Sequence, residues 1–168
     1  MKRPLAVLIC FSIALLMGAD EPKEFSPTNG GFTIKMPGEP KLIEKDANGV
    51  KFKIWAIEQK DVAFLVTTND VPGSATESDE ALQTRLDNGR DGFINGGNRK
   101  LIKETKIVLD EKYPGRDVIG TVPGTTSIIR DRFYLVKGRM YQVMIVGSKE
   151  FHDSDEAKDF FNSFKLVK

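Results

Sequence analysis

Apolar residues in this chain mostly alternate with polar ones, and the spacing turns helical in two stretches. That pattern commits the chain to a sheet clothed by helices. Period two fills one face of a strand, and steps of three or four fill one side of a helix. Phe32, Ile34 and Met36 alternate with Thr33 and Lys35 until Pro37-Gly38 stops them. Residues 41–45 read as a second strand, Asp46-Ala47-Asn48-Gly49 as a hairpin turn, and 50–57 as a third strand. Residues 62–68 are apolar on both faces, which predicts a place in mid-sheet or under a helix.

The first helical stretch spans 78–95, where Leu82, Leu86, Gly89 and Phe93 fall on one side. Ser78 suits the N-cap, Asp79 and Glu80 suit the positive end of the dipole, and Gly96-Gly97 ends the run. Strands are predicted at 99–109, 116–122, 127–136 and 139–147. A second helix follows at 153–163, capped by Asp153, Ser154 or Asp155 and burying Ala157, Phe160, Phe161 and Phe164. For the last two strands, a three-residue loop Lys137-Gly138-Arg139 puts Ile129, Phe133, Leu135, Tyr141, Val143 and Ile145 on one face. Arg130, Arg132, Tyr134, Gln142 and Met144 then share the other, wet face. The order of elements predicts an α+β fold, a central, mainly antiparallel sheet flanked by two principal helices.

The first nineteen residues stand apart. Lys2 and Arg3 precede the apolar run 5–17, Gly18-Ala19 closes it with small residues, and residues 20–24 are abruptly polar. This is the layout of a secretory signal peptide, and the run is shorter than the roughly 20 residues that span a bilayer. The expected organisation is therefore a signal peptide at 1–19, a polar leader at 20–30 and one domain at 31–168. The location is extracytoplasmic, either periplasmic or secreted, with no stable membrane insertion after cleavage. Cys10 is the only cysteine, so the processed chain would rest on packing without disulfides. The chain holds 25 Lys and Arg against 24 Asp and Glu, and removing Lys2 and Arg3 leaves 23 against 24. Such balance argues against a nucleic-acid partner.

Catalytic chemistry finds little purchase. His152 is the lone histidine, flanked by Asp153, Asp155, Ser148 and Ser154, and no Gly-x-Ser-x-Gly elbow presents a serine to it. Without a thiol in the processed chain, a metal would depend on His152, Asp153, Asp155, Glu156 and Asp159. That group lacks the spacing of a calcium loop. Asn29-Gly30-Gly31 and Asn95-Gly96-Gly97-Asn98 read as turns, since neither carries a phosphate-loop pattern. No catalytic set, no metal and no cofactor is predicted.

The segment Phe32-Thr33-Ile34-Lys35-Met36-Pro37-Gly38-Glu39-Pro40 resembles the "F-x-V-x-hP-x-x-P" opening of bacterial extracytoplasmic proteins with the PsbP/Mog1-like fold. The run Tyr134–Val143 and the acidic-capped close Phe160-Phe161-Asn162-Ser163-Phe164-Lys165-Leu166 are similar to that family too. The resemblance implies a central antiparallel sheet flanked by helices. It implies little about activity, because members include an accessory subunit of the photosynthetic oxygen-evolving complex, a nuclear-transport regulator and many uncharacterised bacterial secreted proteins.

The expected role is a secreted, non-enzymatic binding or accessory module whose partner is a protein or envelope component. The expected ligand-binding surface comprises Arg130, Arg132, Tyr134 and Gln142, with Arg116 on the neighbouring strand. Guanidinium forks beside a tyrosine suit a carboxylate, phosphate or peptide. Two other roles are weighed: an extracytoplasmic hydrolase using carboxylates or His152, and a carrier holding a small apolar ligand between sheet and helix.

Overall fold

In the computed structural model, residues 21–47 and 49–167 are described, so the expected signal peptide at 1–19 lies outside them. Seven strands form one antiparallel sheet: β3 (Lys41–Ala47), β4 (Val50–Glu58), β5 (Ala63–Asp70), β6 (Leu101–Leu109), β7 (Tyr113–Thr121), β8 (Ile128–Val136) and β9 (Arg139–Gly147). Their spatial order is β3-β4-β5-β9-β8-β7-β6, so β5 lies inside the sheet as its two apolar faces predict. A small antiparallel sheet joins β1 (Lys23–Phe25), β2 (Phe32–Met36) and β10 (Lys165–Leu166), with β2 in the middle. The polar leader is thus not all linker. Lys23–Phe25 pairs with β2, because Phe25 finds Phe32 and Trp55 to pack on.

The longest helix, α1 (Asp79–Gly96), starts where the sequence places it, with the Ser78 side chain accepting from the Ala81 amide. A short helix, α2 (Lys149–His152), leads into α3 (Asp155–Ser163). Ser148 caps the first and Ser154 the second.

Strand β8 shows how the layers sit. Tyr134 and Val136 enter a core with Phe32, Ile34, Met36, Trp55 and the α3 residues Ala157, Phe160, Phe161 and Phe164. Phe133 and Leu135, on the opposite face, pack with Val118 and Leu86 beneath α1. The two principal helices therefore cover opposite faces. Gly89 of α1 is a close-approach position, since a Cβ there would meet the Phe133 ring at 3.2 Å.

The β8–β9 hairpin corrects the expected register. Val136 pairs with Arg139, not Met140, so the loop is the two residues Lys137-Gly138, with φ of 47° and 86°. Positive φ at both positions matches the twist of a tight hairpin. The expected wet face does not exist. Arg130, Arg132 and Tyr134 share a face with Tyr141, Val143 and Ile145, whereas Gln142 and Met144 share the other with Phe133 and Asp131. Segregation of polar from apolar residues misleads here because helices cover both faces of this strand pair.

Candidate functional site

The five expected binding residues divide between the two faces. Arg116 pairs across from Phe133 and lies under α1, where its residue is 0% exposed. Its Nη2 donates to Asp87 Oδ1 at 2.7 Å, and its Nη1 donates to the Gly115 carbonyl at 3.2 Å. Nε lies 3.0 Å from Glu104 Oε1, an ion-pair approach whose N–H direction falls short of a hydrogen bond. The Arg116 guanidinium holds the Asp87 carboxyl below the usual carboxylate range. Arg90 bridges to Glu104 at 3.0 Å and so ties α1 to the sheet edge. Arg116 is an internal strut.

Gln142 is on that same side, donating through Nε2 to Asp131 Oδ2 at 2.9 Å. Asp131 is fully buried and its Oδ1 has no partner among the described residues. Burial pushes its carboxyl up to about 8.

On the α3 side, Arg130 grips Asp117 through Nε at 2.8 Å and Nη2 at 2.6 Å, and Arg132 Nε reaches the same carboxylate at 2.9 Å. Both guanidinium groups lie over the Phe161 ring, 4.9 and 4.8 Å from its centre. Burial pushes Asp117 up, but the two arginines outweigh it and hold the carboxyl below its ordinary range. Two cations share one anion, and each arginine side chain stays about a fifth exposed. Tyr134 takes no part in this cluster; it is buried and stacked on Phe164 at 6.0 Å. Asp117 and Phe161 are the members that sequence reasoning missed. Their signal is a cross-strand alternation of acid and base that becomes readable only once the register is known.

His152 is buried in α2, with Nε2 3.2 Å from the Ile128 carbonyl. Burial lowers its pKa, which favours the neutral ring. The two candidate nucleophiles are engaged elsewhere: Ser148 Oγ accepts from the Phe151 amide and Ser154 Oγ from the Ala157 amide. No Ser-His-Asp relay is assembled among these residues. Among the described residues no group of three His, Cys, Asp or Glu side chains gathers as a metal site. The space between sheet and α3, where an apolar ligand would sit, is filled by rings, with Phe32–Trp55 at 5.3 Å and Phe64–Phe160 at 5.1 Å.

A different surface stands out once the register is followed across the sheet. Leu135, Met140, Asn69, Phe52 and Lys45 form one cross-strand row on the α1 face. Phe133, Gln142, Thr67, Ile54 and Ile43 form the next, and Asp131, Met144, Leu65, Ala56 and Lys41 the third. Helix α1 packs on the β7 and β8 ends of these rows. Farther out the rows stay apolar yet open to solvent: Ile43 is 50% exposed, and Phe52, Ile54, Ala56, Leu65 and Met144 are half-buried. A sheet face with this composition is normally covered by a second layer.

No family model and no curated protein matches the chain. Among solved structures it is similar to cyanobacterial PsbP (CyanoP) from Synechocystis sp. PCC 6803. That match has 16% identity and a TM-score of 0.56, and it covers 90% of this chain and 95% of the other. The chain has a PsbP-like fold. Among the described residues no helix is long and apolar enough to cross a membrane.

Proposed function

We propose that this chain is an exported, non-enzymatic binding or accessory module of the cell envelope that docks a protein on the open half of its sheet. The observation that carries the reading is the apolar surface of Ile43, Phe52, Ile54, Leu65 and Met144, which α1 leaves partly uncovered. Lys41 and Lys45 flank Ile43 on that face, so the fitting partner presents an apolar strip bordered by acidic groups. Met144 adds an adaptable contact. The basic start, the apolar run 5–17 and the small Gly18-Ala19 support export with cleavage after Ala19, to the periplasm or the exterior. The PsbP-like fold, which includes accessory proteins, agrees with this role as an analogy of fold.

The test places a photo-crosslinking residue at Ile54 and, separately, at Lys158 on the far side. A discrete protein adduct from envelope extract is expected at 54 and not at 158, and the pair Lys41→Glu and Lys45→Glu should abolish it. Identical adducts from both positions, or none from 54, would refute the reading.

A second reading concerns Arg130 and Arg132. Two guanidinium groups, each about a fifth exposed, share the one Asp117 carboxylate, and Arg132 Nη1 also reaches Asn162 Oδ1 at 3.4 Å; the excess of cations over close anions suits an anionic group. Substituting both residues with glutamine should leave docking at position 54 intact if the sheet face is the binding surface, and weaken it if the arginines are.

A further inference from the structure

At the end of the sheet where the 110–112 and 137–138 turns, Gly31 and β10 converge, a half-open groove of about 480 Å³ is present. Tyr113, Val136, Leu166 and Val167 form its apolar wall. Lys112, Lys137 and Arg139 supply three cations, and Asp70 and Asp110 two anions. Arg139 is engaged, with Nε on Asp70 Oδ1 at 3.0 Å and Nη1 on the Asn29 carbonyl at 3.3 Å. Neither Lys112 nor Lys137 makes an ion pair among the described residues.

The floor has a polar anchor that depends on a glycine. A Cβ on Gly31, whose φ is +75°, would stand 2.6 Å from the Tyr141 hydroxyl and 3.8 Å from Arg139 Nη1. The missing side chain leaves room for the Tyr141 hydroxyl at this point, with the Arg139 guanidinium close by. Tyr141 itself is held in the core by Phe32 at 6.2 Å and Phe164 at 5.8 Å, so its hydroxyl is fixed in place before any ligand arrives.

We propose that this groove binds a small organic acid with an apolar body. The carboxylate would lie against the Tyr141 hydroxyl and Arg139, and the body along Tyr113, Val136 and Leu166. Balance of charge selects the class. Asp70 offsets Arg139 and Asp110 offsets one lysine, leaving one positive charge, which suits a monoanion better than a phosphate dianion. The volume is within the range of small-molecule sites, about 300–1,000 Å³. The site is independent of the open sheet face, so either assignment can fail without the other.

The experiment is an amide NMR titration of the processed chain with 2-naphthoate and, in parallel, with neutral 2-naphthalenemethanol. Saturable shifts are expected at Gly31, Tyr113, Gly138 and Val167, with the alcohol binding at least about tenfold more weakly. Tyr141→Phe, which removes only the hydroxyl, and the pair Lys112→Gln and Lys137→Gln, which lies on the surface, should each weaken naphthoate about three- to tenfold. The proposal is overturned by shifts that do not saturate, by equal affinity for acid and alcohol, by variants that bind like the parent, or by shifts centred on Arg130 and Arg132.

Discussion

The two faces of the seven-stranded sheet are finished in different ways. On one, β2, β10 and α3 lay a continuous aromatic layer: Phe32 alone meets Phe25, Trp55, Tyr141 and Phe164. The Arg130 and Arg132 guanidinium groups admitted there share the Asp117 carboxylate and lie over the Phe161 ring. On the other, α1 buries Leu86, Val118, Phe133 and Leu135, the Arg116 charge and the Asp131 carboxyl are enclosed, and the β3–β5 half stays open. The contrast separates stability from availability. Tightly packed rings are expected to supply the larger share of the folding energy, and the face with fewer buried apolar residues is the one free to meet something else.

The comparison breaks most visibly at Phe32. Replacing it with alanine empties the centre of the α3-side core and should cost about 3–5 kcal/mol, read from denaturant midpoints at an unchanged m-value. A near-silent result would mean that the aromatic layer is not the stabilising half.

The α1 side is expected to respond to pH. Asp131 has its carboxyl raised to about 8 by burial, so the folded chain keeps a proton that the unfolded chain releases above about pH 4. Stability should therefore fall as pH rises from about 4 to about 8. Asp131→Asn keeps an acceptor for Gln142 and removes the titration. It should stabilise the protein by about 1–3 kcal/mol near neutral pH and flatten this part of the profile. A variant that is less stable than the parent at pH 8 would show that the carboxylate is ionised and supported in the fold.

Smallest of the three is Ile54→Ala on the open half, expected to cost about 1 kcal/mol or less because the side chain is already partly in water. A loss near that of Phe32→Ala would place Ile54 in a covered core and remove the docking surface.

Much of this division is legible in the chain, and its limits have a physical cause. Ser78 and the Leu82, Leu86, Gly89 spacing mark α1 because capping and period are local properties. The β8–β9 register is not recoverable from a rule that separates wet from dry residues, since Arg130 and Arg132 enter a buried layer by means of Asp117 on another strand. The better guide there is the turn itself, where Lys137-Gly138 takes positive φ at both positions. His152 falls between the strand predicted at 139–147 and the helix predicted at 153–163, and proves buried in α2, because Ser148 begins a short turn of helix that the 153–163 period does not reveal. The open face was hidden for the same reason as the arginine cluster: it is a property of rows across strands, and rows require pairing.

Trp55 carries one last consequence. It is the sole tryptophan, 4% exposed, wedged edge-on against Phe25 and Phe32 in the aromatic half. Its ultraviolet emission is thus a one-sided gauge, bright to any disturbance of that half and blind to loosening beneath α1. Melting curves followed by fluorescence and by far-ultraviolet dichroism will superimpose only if the two faces come apart together.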